Sequence, residues 1–237
     1  MYYLIETQEQ LERFFEGEGD ECYLQFVTNN DETHPKLQSI CALYLYSFSR
    51  EKGFMININH PEGFELELPL KYLQSYTNIF VKEKTKALLY IPTLPYTDIQ
   101  SIYYLLKNEP LPALPKTGTH TFYERKFGAN NVNKIIPLAK HYEAMTNEFE
   151  AIYPYIRNYK GEESNKWYNE ILTPTLARMV SEGFKINDTF KQHFDINEKF
   201  SIHDSKIYGW YNFCTTTGRP TNNFNSVNFS ALKHDTG

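Results

Sequence analysis

Cys22-Tyr23-Leu24-Gln25-Phe26-Val27 and Ile40-Cys41-Ala42-Leu43-Tyr44-Leu45-Tyr46-Ser47-Phe48 are the two runs that set the fold class. Both are dense in aliphatic and aromatic side chains, the types that suit a pleated, buried surface. The polar segment 28–35 between them reads as a turn, so the two runs form a strand and its return. Working outward, residues 53–58 (GFMINI) read as a third strand, stopped by Asn59-His60-Pro61. A short helix near 68–74 and a strand at 78–81 come next. Residues 97–107 predict a helix with Thr97 or Asp98 as N-cap and Ile99, Ile102, Tyr103 and Leu106 on one face. Towards the N-terminus, residues 7–15 keep helical spacing behind Thr7, a second capping residue. Strands followed by alternating helices and strands predict an α/β domain.

The pattern changes after residue 108. Segment 108–118 (NEPLPALPKTG) holds three prolines and a glycine and reads as an extended connector. From 130 onward the spacing is helical through Val132, Ile135, Ile136, Ala139 and Tyr142, running toward Tyr155 with Pro154 as the expected break. A second helix over 164–182 stops at Gly183. Residues 199–203 and 206–215 then predict a β-hairpin around Asp204-Ser205, and the last 20 residues, rich in Asn, Thr and Ser, read as loop. The expected architecture is an α/β sheet domain followed by a mostly α-helical segment ending in a β-hairpin.

Composition narrows the function classes. Of 237 residues, 41% are hydrophobic and 16% aromatic, enough for a core and against wholesale disorder. Lys+Arg minus Asp+Glu is 24 − 29 = −5, so a polyanion partner must meet a local cationic site rather than a basic coat. Three cysteines (Cys22, Cys41, Cys214) exclude a disulfide framework or a four-thiolate zinc site, and the seven histidines lack metal-ligand spacing. Lys82-Glu83-Lys84-Thr85-Lys86, the densest basic run, reads as a solvated helix start. The start MYYLIETQEQ is acidic where a signal peptide is cationic, and the apolar runs fall short of the ~18 residues that cross a bilayer. The expectation is a soluble, cytoplasmic protein.

The segment richest in chemistry is Thr215-Thr216-Thr217-Gly218-Arg219-Pro220-Thr221-Asn222-Asn223-Phe224-Asn225-Ser226-Val227-Asn228-Phe229. Small hydroxyl residues, a glycine and one arginine leave backbone amides and a guanidinium fork suited to phosphate oxygens or base edges. The same composition also describes an Asn-rich loop whose side chains cap their own backbone. The segment resembles the Thr-x-x-Gly-Arg motif of family A DNA polymerases, and more closely the phage-type form in which Gly-Arg-Pro-Ser/Thr-Asn leads into Asn-Phe-x-Ala-Leu, here Asn228-Phe229-Ser230-Ala231-Leu232. The resemblance implies that Arg219 reads the primer–template minor groove, that Thr217 and Gly218 shape the turn, and that Asn225 and Asn228 lie near the DNA backbone or brace the motif. Residues 173–187 resemble the Pro-x-Leu-x-x-Met-x-x-x-Gly helix that opens the polymerase module in that family. Only 188–216 lies between the two motifs, which implies a thumb reduced to a hairpin.

The resemblance further implies a 3′–5′ exonuclease-like domain with a ribonuclease-H-like sheet over 1–115, a helical connector and the start of the polymerase module over 116–187, and the reduced thumb with the start of the palm over 188–237. That exonuclease family holds two metal ions with Asp-x-Glu on the first strand, Asn-x-x-x-Asp on a helix and Tyr-x-x-x-Asp on a later helix. None of these patterns occurs here. The first pair falls on Gln25 and Val27, the second motif on 82–89 with Leu88 near the expected Asp, and the third in or near 131–141, which has no acid. Neutral and apolar groups do not hold Mg²⁺, so the exonuclease reads as degenerate. After Arg219 the only acid is Asp235, so the polymerase carboxylates are expected outside this sequence. No catalytic residue and no metal ligand is therefore expected in this chain; Mg²⁺ belongs to the complete polymerase. The expected partners are primer–template DNA and a C-terminal polymerase polypeptide or region with palm and fingers, in the host cytoplasm for a phage protein. The alternative is a non-catalytic protein- or DNA-interaction module derived from an exonuclease fold.

Overall fold

In a computed structural model of the chain, the described residues are 3–29, 34–112, 123–124, 134–160, 163–193, 202–211 and 214. The order is β1 (Leu4–Ile5), α1 (Gln8–Phe15), β2 (Glu21–Thr28), β3 (Ile40–Ser47), β4 (Lys52–Asn57), α2 (Leu70–Leu73), β5 (Asn78–Val81), α3 (Lys84–Tyr90), β6 (Tyr96–Asp98) and α4 (Ile99–Lys107). Then come β7 (Tyr123–Glu124), β8 (Lys134–Ile135), α5 (Leu138–Arg157), α6 (Glu163–Trp167) and a π-helical turn, Tyr168–Leu172. Last are α7 (Thr173–Glu182), β9 (Phe184–Lys185), α8 (Asp188–His193), β10 (Ile202–His203) and β11 (Lys206–Ile207).

Six strands form one sheet in the order β1-β4-β3-β2-β5-β6. β2, β3 and β4 pair antiparallel, while β1–β4, β2–β5 and β5–β6 pair parallel. The central strands lack polar alternation because both faces of the sheet are covered. On one face Cys22, Leu24, Leu43, Leu45 and Ile56 pack with Leu11 and Phe14 of α1, Leu73 and Ala87. On the other, Tyr23, Val27, Ala42, Tyr44 and Met55 meet Leu138, Met145, Phe149, Ile152 and Ile156 of α5. The expected mixed α/β sheet with helices on it is present.

Several local expectations hold. Thr7 closes a capping box, its Oγ1 accepting from the Gln10 N–H at 3.2 Å while Gln10 Oε1 accepts from the Thr7 N–H at 3.3 Å. The 78–81 strand is β5. The Asp204-Ser205 turn has φ of 51° and 57°, the mirror-image geometry that matches strand twist, and β10 and β11 pair across it. The pairing covers Ile202–His203 and Lys206–Ile207 rather than the longer arms predicted, and β11 also pairs with β9. Gly183 ends α7 with φ +63°, and a Cβ there would meet the Tyr208 ring at 2.8 Å. Glycine is required for both reasons.

Other elements differ from the sequence reading. Residues 96–98 form the edge strand β6, so the helix starts at Ile99. Residues 134–135 pair with 123–124, and α5 begins only at Leu138. A clamp from the β4 end fixes that start. Glu62 Oε2 accepts from the Leu138 N–H at 2.8 Å, and His60 Nδ1 accepts from the Glu62 N–H at 3.1 Å. His60 therefore carries its proton on Nε2, which meets the Ile136 carbonyl at 2.9 Å. β4 does end before Asn59-His60-Pro61, as the sequence predicts, and His60 serves in addition as part of a helix-capping device. α5 also runs through Pro154 to Arg157. Pro154 lies on the exposed side of the helix. Among the described residues no helix is long and apolar enough to cross a membrane.

Candidate functional site

Parallel strands β2 and β5 pair only through Glu21–Tyr23 and Asn78–Phe80, then part as the chain turns into α3. A crevice beyond the carboxyl ends of diverging parallel strands is the usual ligand site of an α/β sheet. Here the polar lining of the cleft comes from Gln25, Lys82, Glu83, Lys86, Tyr90 and Glu148. Lys82 Nζ lies 2.7 Å from Glu148 Oε1 on α5, and the Glu148 side chain is only 9% exposed. Burial pushes the Glu83 carboxyl up, against the pull of Lys86 and Lys82. Gln25 is buried and its Nε2 donates to the Tyr23 hydroxyl. Two ammonium and two carboxyl groups thus share one small space and neutralise one another.

The residues predicted to mark a lost exonuclease centre separate. Gln25 lines the cleft. Val27 is buried in the core beneath α5, while Leu88 packs against the opposite core cluster on the α1 side. The α3 residues that reach the cleft are Lys86, Ala87 and Tyr90. The acid that enters it, Glu148, lies beyond the 131–141 window in which the sequence places the third motif. Its signal is helical spacing, three residues after Met145 and four before Ile152 on the buried stripe of α5.

These residues do not fit a divalent metal. Mg²⁺ needs converging anionic oxygens, and among the described residues no three His, Cys, Asp or Glu side chains converge. A cation approaching Glu148 would meet the Lys82 ammonium already seated there. With Mg²⁺ or Mn²⁺ added, the protein is expected to release no nucleotide from 3′-labelled single-stranded DNA or RNA above a protein-free control. Sustained metal-dependent release would contradict this assignment.

The basic run 82–86 is not a solvated helix start. Lys84 is 8% exposed. Its Nζ donates to the carbonyls of Tyr96 at 2.6 Å and Asn169 at 2.8 Å, and its N–H donates to Asp98 Oδ1 at 3.1 Å. Asp98, expected to cap the 97–107 helix, gives its carboxylate to the start of α3 instead, and its own N–H donates to Asn169 Oδ1 at 2.8 Å. Ser101 Oγ and Asn165 Oδ1 meet at 3.1 Å alongside. Burial pulls the Lys84 ammonium down and pushes the Asp98 carboxyl up to about 7. Cys214 is buried near this cluster, and burial, with Asp98 and Glu83 adding to it, pushes its thiol up. Thr217, Gly218, Arg219, Asn225 and Asn228 lie outside the described residues.

No protein-family model matches the chain, and no curated protein matches it. Among solved structures, it is similar to Escherichia coli RNase D, an exoribonuclease involved in structured RNA processing, at 12% identity and a TM-score of 0.42, covering 86% of this chain and 56% of that one. It is also similar to Brucella melitensis NrnC bound to pGG, at 11% identity and a TM-score of 0.39, covering 72% and 89%. A third likeness is to the catalytic core of RRP6 from Trypanosoma brucei, at 9% identity and a TM-score of 0.37, covering 75% and 50%. The chain thus spans about half the length of the RNase D and RRP6 chains. The fold assignment stands on the sheet itself. It is a mixed α/β sheet in which β4, β3 and β2 pair antiparallel in turn and β5 and β6 continue parallel to β2, with helices on both faces.

Proposed function

We propose that this chain is the N-terminal part of a phage-type family A DNA-directed DNA polymerase, in which an exonuclease-like domain without nuclease chemistry serves as scaffold for primer–template binding in DNA replication. The observation that carries the reading is the filled cleft. An ammonium–carboxylate pair at 2.7 Å and a buried amide line the cleft, and among the described residues no set of acids converges to hold two metal ions, which supports a structural use for the domain. The polymerase part rests on the Thr215-to-Arg219 motif, the Asn228-to-Leu232 run and the helix over 173–187 upstream of them. Under this reading Arg219 donates to base-edge or phosphate acceptors, Thr217 and Gly218 shape its turn, and Asn225 and Asn228 support it. Palm and fingers would come from a C-terminal polypeptide or region, whose carboxylates would hold Mg²⁺ for nucleotide transfer. The domain division at 115 and 187 and a host-cell cytoplasmic location belong to the same proposal.

The test is primer–template binding by fluorescence anisotropy. Arg219→Ala is expected to weaken binding by roughly tenfold, the loss of one good bidentate contact of about 1–3 kcal/mol, with an unchanged circular-dichroism spectrum. Undiminished affinity would overturn the role of Arg219. The alternative, a protein-interaction module derived from the same fold, is favoured by the net charge of −5. It predicts that neither protein binds DNA measurably.

A further inference from the structure

The helical run from Glu163 to Glu182 continues through Pro174. A proline inside a helix removes one N–H and drives its ring against the carbonyl four residues back. Here the helix widens ahead of it: the Thr173 N–H reaches back five residues to the Tyr168 carbonyl. The π turn relieves the clash but passes over one acceptor. The Asn169 carbonyl loses the Thr173 N–H to Tyr168, and Pro174 has none to give. Lys84 Nζ takes its place at 2.8 Å, crossing from the other side of the contact, while also holding the Tyr96 carbonyl at 2.6 Å. The side chain of the same residue completes the join: Asn169 Oδ1 accepts from the Asp98 N–H at 2.8 Å, and Nδ2 donates to the Asn165 carbonyl at 3.0 Å.

We infer that Lys84 is a positioning residue whose ammonium substitutes for the helical N–H missing at Asn169, locking the π turn and so fixing how the Thr173–Glu182 helix is rotated against the sheet. An ammonium suits the task because it offers three donors on a long stem and no acceptor. Asp98 and Glu170 are the acids whose charges act on it, and Glu83 acts in turn on Asp98. The turn also bears on the chain beyond the hairpin. Cys214, one residue before the Thr-x-x-Gly-Arg segment, lies close enough to Tyr168, Asp98 and Glu83 to interact electrostatically with each. The lock thereby bears on the surroundings of Cys214; its consequence for DNA rests on the proposed function.

Hydrogen exchange by mass spectrometry on the full chain tests the lock, using Lys84→Met, Pro174→Ala and the double variant. In Lys84→Met, amides of 168–179 are expected to exchange about tenfold or more faster, while those of β2 and β3 stay within about twofold of wild type, the pattern of local rather than global opening. Pro174→Ala restores an N–H and removes the ring, so the helix can close without the ammonium. The double variant is therefore expected to recover most of the lost protection. Unchanged exchange in Lys84→Met, equal loss in β2 and β3, or a double variant no better than the single one overturns the inference. If Lys84→Met does not fold, the double variant decides: folded and protected supports the lock, unfolded overturns it. Anisotropy with primer–template DNA is a separate arm, in which Lys84→Met is expected to bind more weakly. Failure of the wild-type protein to bind DNA defeats the proposed function and leaves the exchange result standing.

Discussion

Phe149→Ala is expected to lower the unfolding free energy by about 3–5 kcal/mol, the range for truncating a buried phenylalanine whose surroundings relax only in part. Phe149 is 2% exposed on α5. Its ring stacks on Tyr46 at 3.9 Å between centroids, with Tyr23 at 5.1 Å and Tyr153 at 5.2 Å. Phe48 closes the group at 6.2 Å. These rings come from β2, β3 and the residue after it, and from α5, so the hole left behind would lie between the sheet and the helix that covers it. Ring–ring contacts add to the area lost. Urea unfolding monitored by far-ultraviolet circular dichroism measures the change. Tyr153→Ala, at the half-buried margin of the same group, should cost less. A loss below about 1 kcal/mol in Phe149→Ala would mean that α5 is not held by this cluster.

Asp98→Asn is expected to become progressively more stable than wild type as pH rises from about 4 to about 7, by a few kcal/mol at the top of that window. The Asp98 carboxyl is pushed by burial from 3.8 to about 7 in the folded protein. Between those values the folded state holds a proton that the unfolded state has lost, so this group's contribution falls with rising pH and levels off above about 7. Asparagine keeps an oxygen for the Lys84 N–H and carries no charge to bury. A tenfold difference in proton affinity between the two states corresponds to about 1.4 kcal/mol. Opposite slopes come from His34, which burial lowers to about 4, and from His60, also lowered by burial. The quantity to measure is therefore the difference between the two proteins, from urea unfolding at several pH values. A difference that does not change with pH would place the Asp98 carboxylate in contact with water.

The central strands are legible in the sequence because two-sided burial leaves its mark on most residues of β2 and β3, and the 78–81 strand ends where its apolar run ends. β6 is not. It has three residues, its partner β5 lies some 17 positions earlier (Ile79 with Tyr96), and Thr97 and Asp98 also suit a helix cap. Short parallel pairs draw their stability from the sheet around them, which no local pattern records. The start of α5 is hidden for a related reason. Ile135 and Ile136 match a helical period, yet the clamp from His60 and Glu62 decides where the turn begins. In the cleft, Gln25 is legible as a position without an acid. The Lys82–Glu148 pair is not, because charges just past β5 and on α5 announce themselves as solvent-facing until the fold brings them together. Lys84 misleads in the same way, since nothing near it in sequence shows that a proline 90 residues later leaves a carbonyl for it to hold.

The pair at the cleft also works as an evolutionary ratchet. An acid introduced at position 25 would not by itself make a metal site, since Lys82 would serve it and Glu148 as a shared counter-ion. Removing Lys82 would take from the mostly buried Glu148 a charge partner 2.7 Å away, at a cost in stability before any new chemistry appeared. Each single step toward a metal site is therefore either idle or harmful, so the order in which changes come limits what the cleft can become.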